Sequence, residues 1–174
     1  MKAEDIALAL TRPYSLFPWR RYVVVPNVSW GLVNWEADLI ALAPSGFMYE
    51  VEIKISHADL KADFDKPKHR RGGMDDIAWR KLRGFYYAMP AALYALATTK
   101  QTPIPDYAGI ITVAPRSERD TRLRCTVERH PTLNKGAVKL GTYDMYQLAR
   151  LGVMRYWTRR EAREPAPQRH DTQD

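Results

Sequence analysis

A chain of 174 residues, 45% hydrophobic and 27% charged, has the size and make-up of one globular domain with a single sizeable core. Its one cysteine, Cys125, excludes an internal disulfide and a Cys-rich zinc site. No run approaches the roughly 18 apolar residues of a membrane span, and the first 15 residues put two acids before a short apolar stretch, unlike a secretory signal. The expectation is a cytoplasmic protein with no membrane partner. A formal charge of +7 suits a polyanionic partner, and its placement matters more than its size. One basic group is Lys66, Lys68, His69, Arg70, Arg71, Arg80, Lys81 and Arg83; a second is Arg155, Arg159, Arg160 and Arg163.

Residues 2–11 read as a helix stopped by Pro13. The β-branched and aromatic run 21–30 reads as a strand, and Pro26 assigns it to a sheet edge or a bulge. Segments 36–43 and 47–56 read as two strands joined by Pro44-Ser45-Gly46. Residues 57–65 read as a helix that Ser56 caps, with Asp59 three residues on. Beyond a flexible break at Gly72-Gly73, the pattern predicts a helix over 76–83, a strand over 85–89 and an alanine-rich helix from Pro90 to Thr99. Strands over 107–114 and 122–128 and a helix over 142–163 follow. The chain thus reads as one α/β domain over 1–164, a mixed central sheet flanked by helices, with a disordered tail over 165–174.

The chemistry begins at the turn. A three-residue hairpin loop commonly ends on a left-handed glycine, the place Gly46 takes. Paired residue numbers then sum to 90, so Asp38 faces Glu52, Glu36 faces Lys54 and Ile40 faces Glu50. Directly opposed residues have Cβ atoms about 4.5–5.5 Å apart, close enough for two carboxylates to share a cation. Alternation puts Glu36, Asp38, Glu50, Glu52 and Lys54 on one side of the sheet. It puts Ala37, Leu39, Ala41, Phe47, Tyr49, Val51, Ile53 and Ile55 on the other, as a core face. Clustered acids repel unless a cation offsets them, which is costly in a structural sheet and useful in a metal site. Hard carboxylate oxygens suit Mg²⁺ or Mn²⁺, with the Ile53 carbonyl as a further ligand. Lys54 is placed to assist an attacking water or offset charge in a phosphoryl transition state.

Ala37-Asp38, a short hairpin and Glu52-Ile53-Lys54 together resemble the PD-(D/E)XK nuclease superfamily, with Ala37 where that motif names proline. The run VEIKISHADLKADFDKPKH with the later KLRGFYYAMP is similar to small bacterial and phage MmcB-like DNA repair proteins. The resemblance covers residues 20–115. It implies a restriction-endonuclease-like core in the order helix, three strands, helix, strand. It also implies a metal-dependent DNA nuclease with Asp38, Glu52 and Lys54 catalytic, acting in repair, recombination or phage DNA processing. A further acid from the first helix is implied as well, Glu4 before Asp5, while Glu36 and Glu50 are open between supporting acids and rim charges.

On this reading the basic residues of 66–83 contact the phosphates of DNA, with RNA as an alternative, and a homodimer or protein partner is compatible. Asp59 and Asp63 read as capping and pairing acids, with Lys61 and Lys66 at helical spacing. The four histidines lack zinc spacing, and no P-loop, G-x-G-x-x-G or G-x-S-x-G occurs. The rival reading is a non-catalytic module on the same fold that binds nucleic acid or a protein.

Overall fold

A computed structural model describes residues 1–29, 31–69 and 76–162. Along the chain run α1 (Ala3–Thr11), β1 (Val23–Ser29), β2 (Glu36–Leu42), β3 (Met48–Ile53), α2 (His57–Asp63), a 3₁₀ turn (Pro67–His69) and α3 (Asp76–Trp79). There follow β4 (Leu82–Pro90), α4 (Ala91–Thr99), β5 (Gly109–Pro115), β6 (Leu123–Arg129) and α5 (Thr142–Glu161). Among the described residues the strands form one six-stranded sheet in chain order. Its first three strands are antiparallel, β4 runs parallel to β3 and β5 parallel to β4, and β6 returns antiparallel. No helix among the described residues is long and apolar enough to cross a membrane.

Helices cover both faces of the sheet. On one face Ile6, Ala9 and Leu10 of α1 pack on Leu39, Val51, Ile53, Ala88 and Ile111. On the other, Leu148 of α5 joins Val25, Val28, Ile40 and Met48, while Leu60 of α2 and Leu93 of α4 join Phe85, Tyr87 and Met89. Each fully buried Val, Leu, Ile, Phe or Met side chain among them contributes roughly 1.5–3 kcal/mol. The sheet is therefore buried on both sides, so the acids of β3 do not face solvent.

The hairpin turn forms as its residues predict. Ala43 N–H donates to Phe47 O, Gly46 N–H donates to Ala43 O, and Gly46 has φ +85°. The pairs Leu39–Val51, Ile40–Glu50, Ala41–Tyr49 and Leu42–Met48 all sum to 90. β1 is an edge strand, as Pro26 requires.

Three sequence expectations are corrected. The helix expected over 76–83 ends at Trp79, and β4 begins at Leu82, ahead of Gly84. Alternation along β2 breaks near Asp38: Ala37 packs with Ile40 in the cluster facing α5, while Leu39 packs toward α1. The break lies across from Asn27, whose left-handed φ of +51° in β1 puts Val25 and Val28 on the same side. Phe47 and Ile55 also leave the expected core face: Arg83 and Lys139 lie over the Phe47 ring, and Ile55 is exposed. Gly72-Gly73 and the tail over 165–174 lie outside the described residues.

Candidate functional site: a buried charge cluster beside a parted hairpin

The β2–β3 ladder ends at Leu39–Val51, so Asp38 and Glu52 are not paired across it and Glu36 does not meet Lys54. Glu36 is exposed and pairs with Ser29 of β1 instead. Where the strands part, Asp38 Oδ2 accepts the Ile53 N–H at 2.7 Å. A carboxylate thus takes the place of a ladder carbonyl and holds the split. Burial raises the Asp38 pKa from its ordinary value, and the nearby Glu52 charge raises it further. Asp38 and Ile53 line a cleft of about 260 Å³ together with Glu4, Leu8, Trp19 and Arg159. Asp5, the second candidate on α1, accepts the Lys2 N–H at 2.7 Å and caps its own helix.

Glu50, Glu52 and Lys54 share one face of β3, as alternation predicts, but beneath cover. Lys54 Nζ donates to Glu52 Oε1 and to Asp63 Oδ1, each at 2.9 Å. Burial alone would lower the Lys54 pKa; Glu52 and Asp63 outweigh it, so the ammonium titrates above its ordinary value. Lys66 reaches Asp63 Oδ1 at 2.6 Å and Glu52 Oε1 at 3.3 Å. Lys68, also buried, lies 2.8 Å from Glu52 Oε2 and 3.5 Å from Glu50 Oε1. By angle neither Lys68 Nζ nor Glu52 Oε2 has a hydrogen bond. The short Lys68–Glu52 contact is charge attraction, whose energy depends on distance and not on angle.

Asp63 is the residue that reading the sequence undervalued. Its carboxylate takes Lys54 and Lys66 on Oδ1, and the Tyr87 hydroxyl donates to Oδ2 at 2.7 Å. His69 Nε2 lies 2.8 Å from the same Oδ2; an acceptor-only carboxylate makes that nitrogen the donor, leaving Nδ1 to accept from Tyr107 OH at 2.6 Å. Burial opposes ionisation of Asp63, yet His69 and the three lysines hold its pKa far below the carboxylate range. The signal was present: Asp63 stands three residues from buried Leu60, on the inward stripe of α2. Tyr87 likewise alternates with Phe85 and Met89, and Trp35 Nε1 donates to both Glu50 oxygens at 3.0 and 2.9 Å.

The basic segment is largely turned inward. Lys68 and His69 fold over the β3 carboxylates, Lys81 pairs with Asp144 at 3.1 Å, and Arg83 donates to Asn134 O at 2.7 Å. Of the phosphate contacts expected here, Lys66 and Arg80 remain exposed. Arg70 and Arg71 lie outside the described residues, as does Arg163.

The donor chemistry fits a hard divalent cation. Asp38, Glu52 and the Ile53 carbonyl are oxygen donors; Glu52 Oε2 is buried without a hydrogen bond, 2.8 Å from Lys68 Nζ. Among the described residues no group of three or more His, Cys, Asp or Glu is gathered to hold a metal. A Mg²⁺ that keeps most of its waters needs only one or two carboxylates, and Asp38 and Glu4 line the open cleft.

No protein-family model matches the chain, and no curated protein matches it. The fold is similar to that of the SPO1766 protein of unknown function from Silicibacter pomeroyi, with a TM-score of 0.57 and 16% identity over 93% of this chain and 90% of that one. At that identity the likeness establishes the backbone arrangement alone.

Two outcomes follow from the cluster. Asp63→Asn removes the charge shared by Lys54, Lys66 and His69 and should cost about 3–5 kcal/mol in urea unfolding at neutral pH; a loss under about 1 kcal/mol would show that the lysines find other partners. Burial raises the Glu50 pKa to about 7, against the pull of Lys68. A raised carboxylate adds stability in full below its unfolded value, and that contribution is lost as pH rises through about 7. Glu50→Gln should therefore gain in Tm relative to wild type between pH 4.5 and 7 and level off above it; a Tm difference that does not change with pH would contradict the assignment.

Proposed function

We propose that this protein is a divalent-metal-dependent nuclease that hydrolyses phosphodiester bonds in DNA. The observation that carries the reading is the parted hairpin, where Asp38 grips the Ile53 N–H at the edge of an open cleft, with Glu52 and Lys54 buried behind it. The order α1, β1 to β3, α2, β4, with β4 parallel to β3, supports it, since the PD-(D/E)XK resemblance implies the same order of elements. Asp38, Glu52 and the Ile53 carbonyl would hold Mg²⁺ or Mn²⁺, and Glu4 stands at the same cleft. The bound metal supplies an activated water and offsets charge on the phosphate.

The chain's own groups divide the remaining work. Asp38 fixes the separation of β2 from β3 and so keeps the Ile53 carbonyl out of the ladder. Lys54, held by Glu52 and Asp63, keeps a positive charge next to Glu52 whatever the pH of the cell. Arg159, on the rim of the cleft, offers a cation to a phosphate.

A second reading, a non-catalytic nucleic-acid-binding module on this fold, is favoured by one specific observation. Lys54, Lys66 and Lys68 offset the charges of Glu50, Glu52 and Asp63, so the buried cluster needs no metal for balance. A panel of labelled single-stranded, duplex and branched DNAs separates the two readings. The nuclease reading expects cutting in Mg²⁺ or Mn²⁺, none in EDTA, and a loss of about 100-fold or more in both Asp38→Asn and Lys54→Ala. Intact DNA throughout, with binding retained, would give the second reading its case.

A further inference from the structure

Helix α5 lies outside the span of the sequence resemblance, and the proposed chemistry draws on it for Arg159 alone. It rests on β1 along one stripe: Leu148 is buried, Met145 and Leu151 are partly buried, and Arg155 donates to Asn27 O at 2.8 Å. At about 100° per residue, positions 143, 146, 150, 153 and 157 point away from that stripe. They carry Tyr143, Tyr146, Arg150, Val153 and Trp157, with Tyr143 73% and Trp157 56% exposed. Tyr156, beside this row, is 59% exposed and meets the Trp157 ring edge-on at 5.2 Å. Single exposed rings are ordinary; a row of them on one helix is a surface in want of a partner.

Charge identifies the partner. Arg150, Arg155, Arg159 and Arg160 outnumber Asp144 and Glu161 on α5, and Asp144 is already paired with Lys81. A second copy of the helix would bring the same arginines, with Arg150 in the middle of the row, so self-pairing sets like charge against like. A polyanion with stackable faces matches both features. Duplex DNA offers the charge but hides its base faces, whereas a single strand offers both.

The surface also leads somewhere. Arg159 lines the cleft that holds Asp38 and Glu4, and Trp19 stands on the same cleft, 58% exposed, with the Arg20 guanidinium 5.2 Å over its ring. Arg159 follows Arg155 on the packed side of α5, and Tyr156 and Arg160 lie between it and the outward row, so rings and arginines pass round the helix from that row to the cleft. We infer that α5 is a platform for single-stranded nucleic acid, on which bases stack against Tyr156 and Trp157 and phosphates meet Arg150 and Arg160, and that the strand runs on into the Asp38 cleft. Delivery to the cleft rests on the nuclease reading; binding by α5 does not.

The test is fluorescence anisotropy in EDTA with a labelled single strand of about 16 nucleotides and the matching duplex. The single strand should bind at least about 10-fold more tightly than the duplex, and the Tyr156→Ala/Trp157→Ala double variant should lose at least about 10-fold for the single strand. Both side chains are exposed, and matching circular dichroism melts of the two proteins would assign the loss to contact. Equal affinity for duplex and single strand, or unchanged binding by the double variant, would overturn the inference. It would also fall if light scattering showed a wild-type dimer that the double variant dissolves while strand binding stays the same. Because the assay contains no metal, single-strand binding without any cleavage in Mg²⁺ would sink the nuclease reading and leave this one standing.

Discussion

Asp63 is a fully buried carboxylate that touches Lys54 on the β3 side, Lys66 and His69 beyond α2, and Tyr87 on β4. An isolated charge at that depth would be prohibitive, so the carboxylate persists only while those partners stay in place. Much of the candidate site depends on this constraint. It draws the 66–69 segment down over the sheet, seals Glu50 and Glu52 from solvent, and holds Lys54 upright beside Glu52. Breaking one partner leaves the others paired with nothing, which couples the site's geometry to the stability of the fold.

A second, smaller device sets the mouth of the site. β2 and β3 pair through a tight turn and then separate at Asp38, whose side chain satisfies the Ile53 N–H that the ladder abandons. Left-handed Asn27 in the neighbouring edge strand turns the pleat at the same level, and Arg155 of α5 holds its carbonyl. The cleft thus borrows walls from α1, the first three strands and α5.

Most of the fold was legible from local signals. Pro44-Ser45-Gly46 set the turn and with it the register of four residue pairs between β2 and β3; Pro26 restricted β1 to an edge or a bulge; Ser56 marked the start of α2, and its side chain accepts the Asp59 N–H. Glu50, Glu52 and Lys54 share a face because strand alternation is strict on β3. The reading failed where one element acts on another. Asn27 breaks the alternation of β2 from across the ladder, so Asp38 and Glu36 do not meet their expected partners. Lys68 and His69 look like solvent-facing cations in a row of basic residues, yet buried acids claim them, Glu52 of β3 for Lys68 and Asp63 of α2 for His69. A one-dimensional pattern carries charge and period, but not which charge will be covered.

The central claim is that the parted hairpin is a place for a divalent cation, and it can be tested without any nucleic acid. Electron paramagnetic resonance of Mn²⁺ titrated into the full chain reads free against bound metal directly. The account predicts one saturable site, displaced by Mg²⁺ and lost in Asp38→Asn, a variant at a residue outside the buried lysine cluster. Mn²⁺ that stays free in the wild type, or that binds Asp38→Asn as well as wild type, would contradict it.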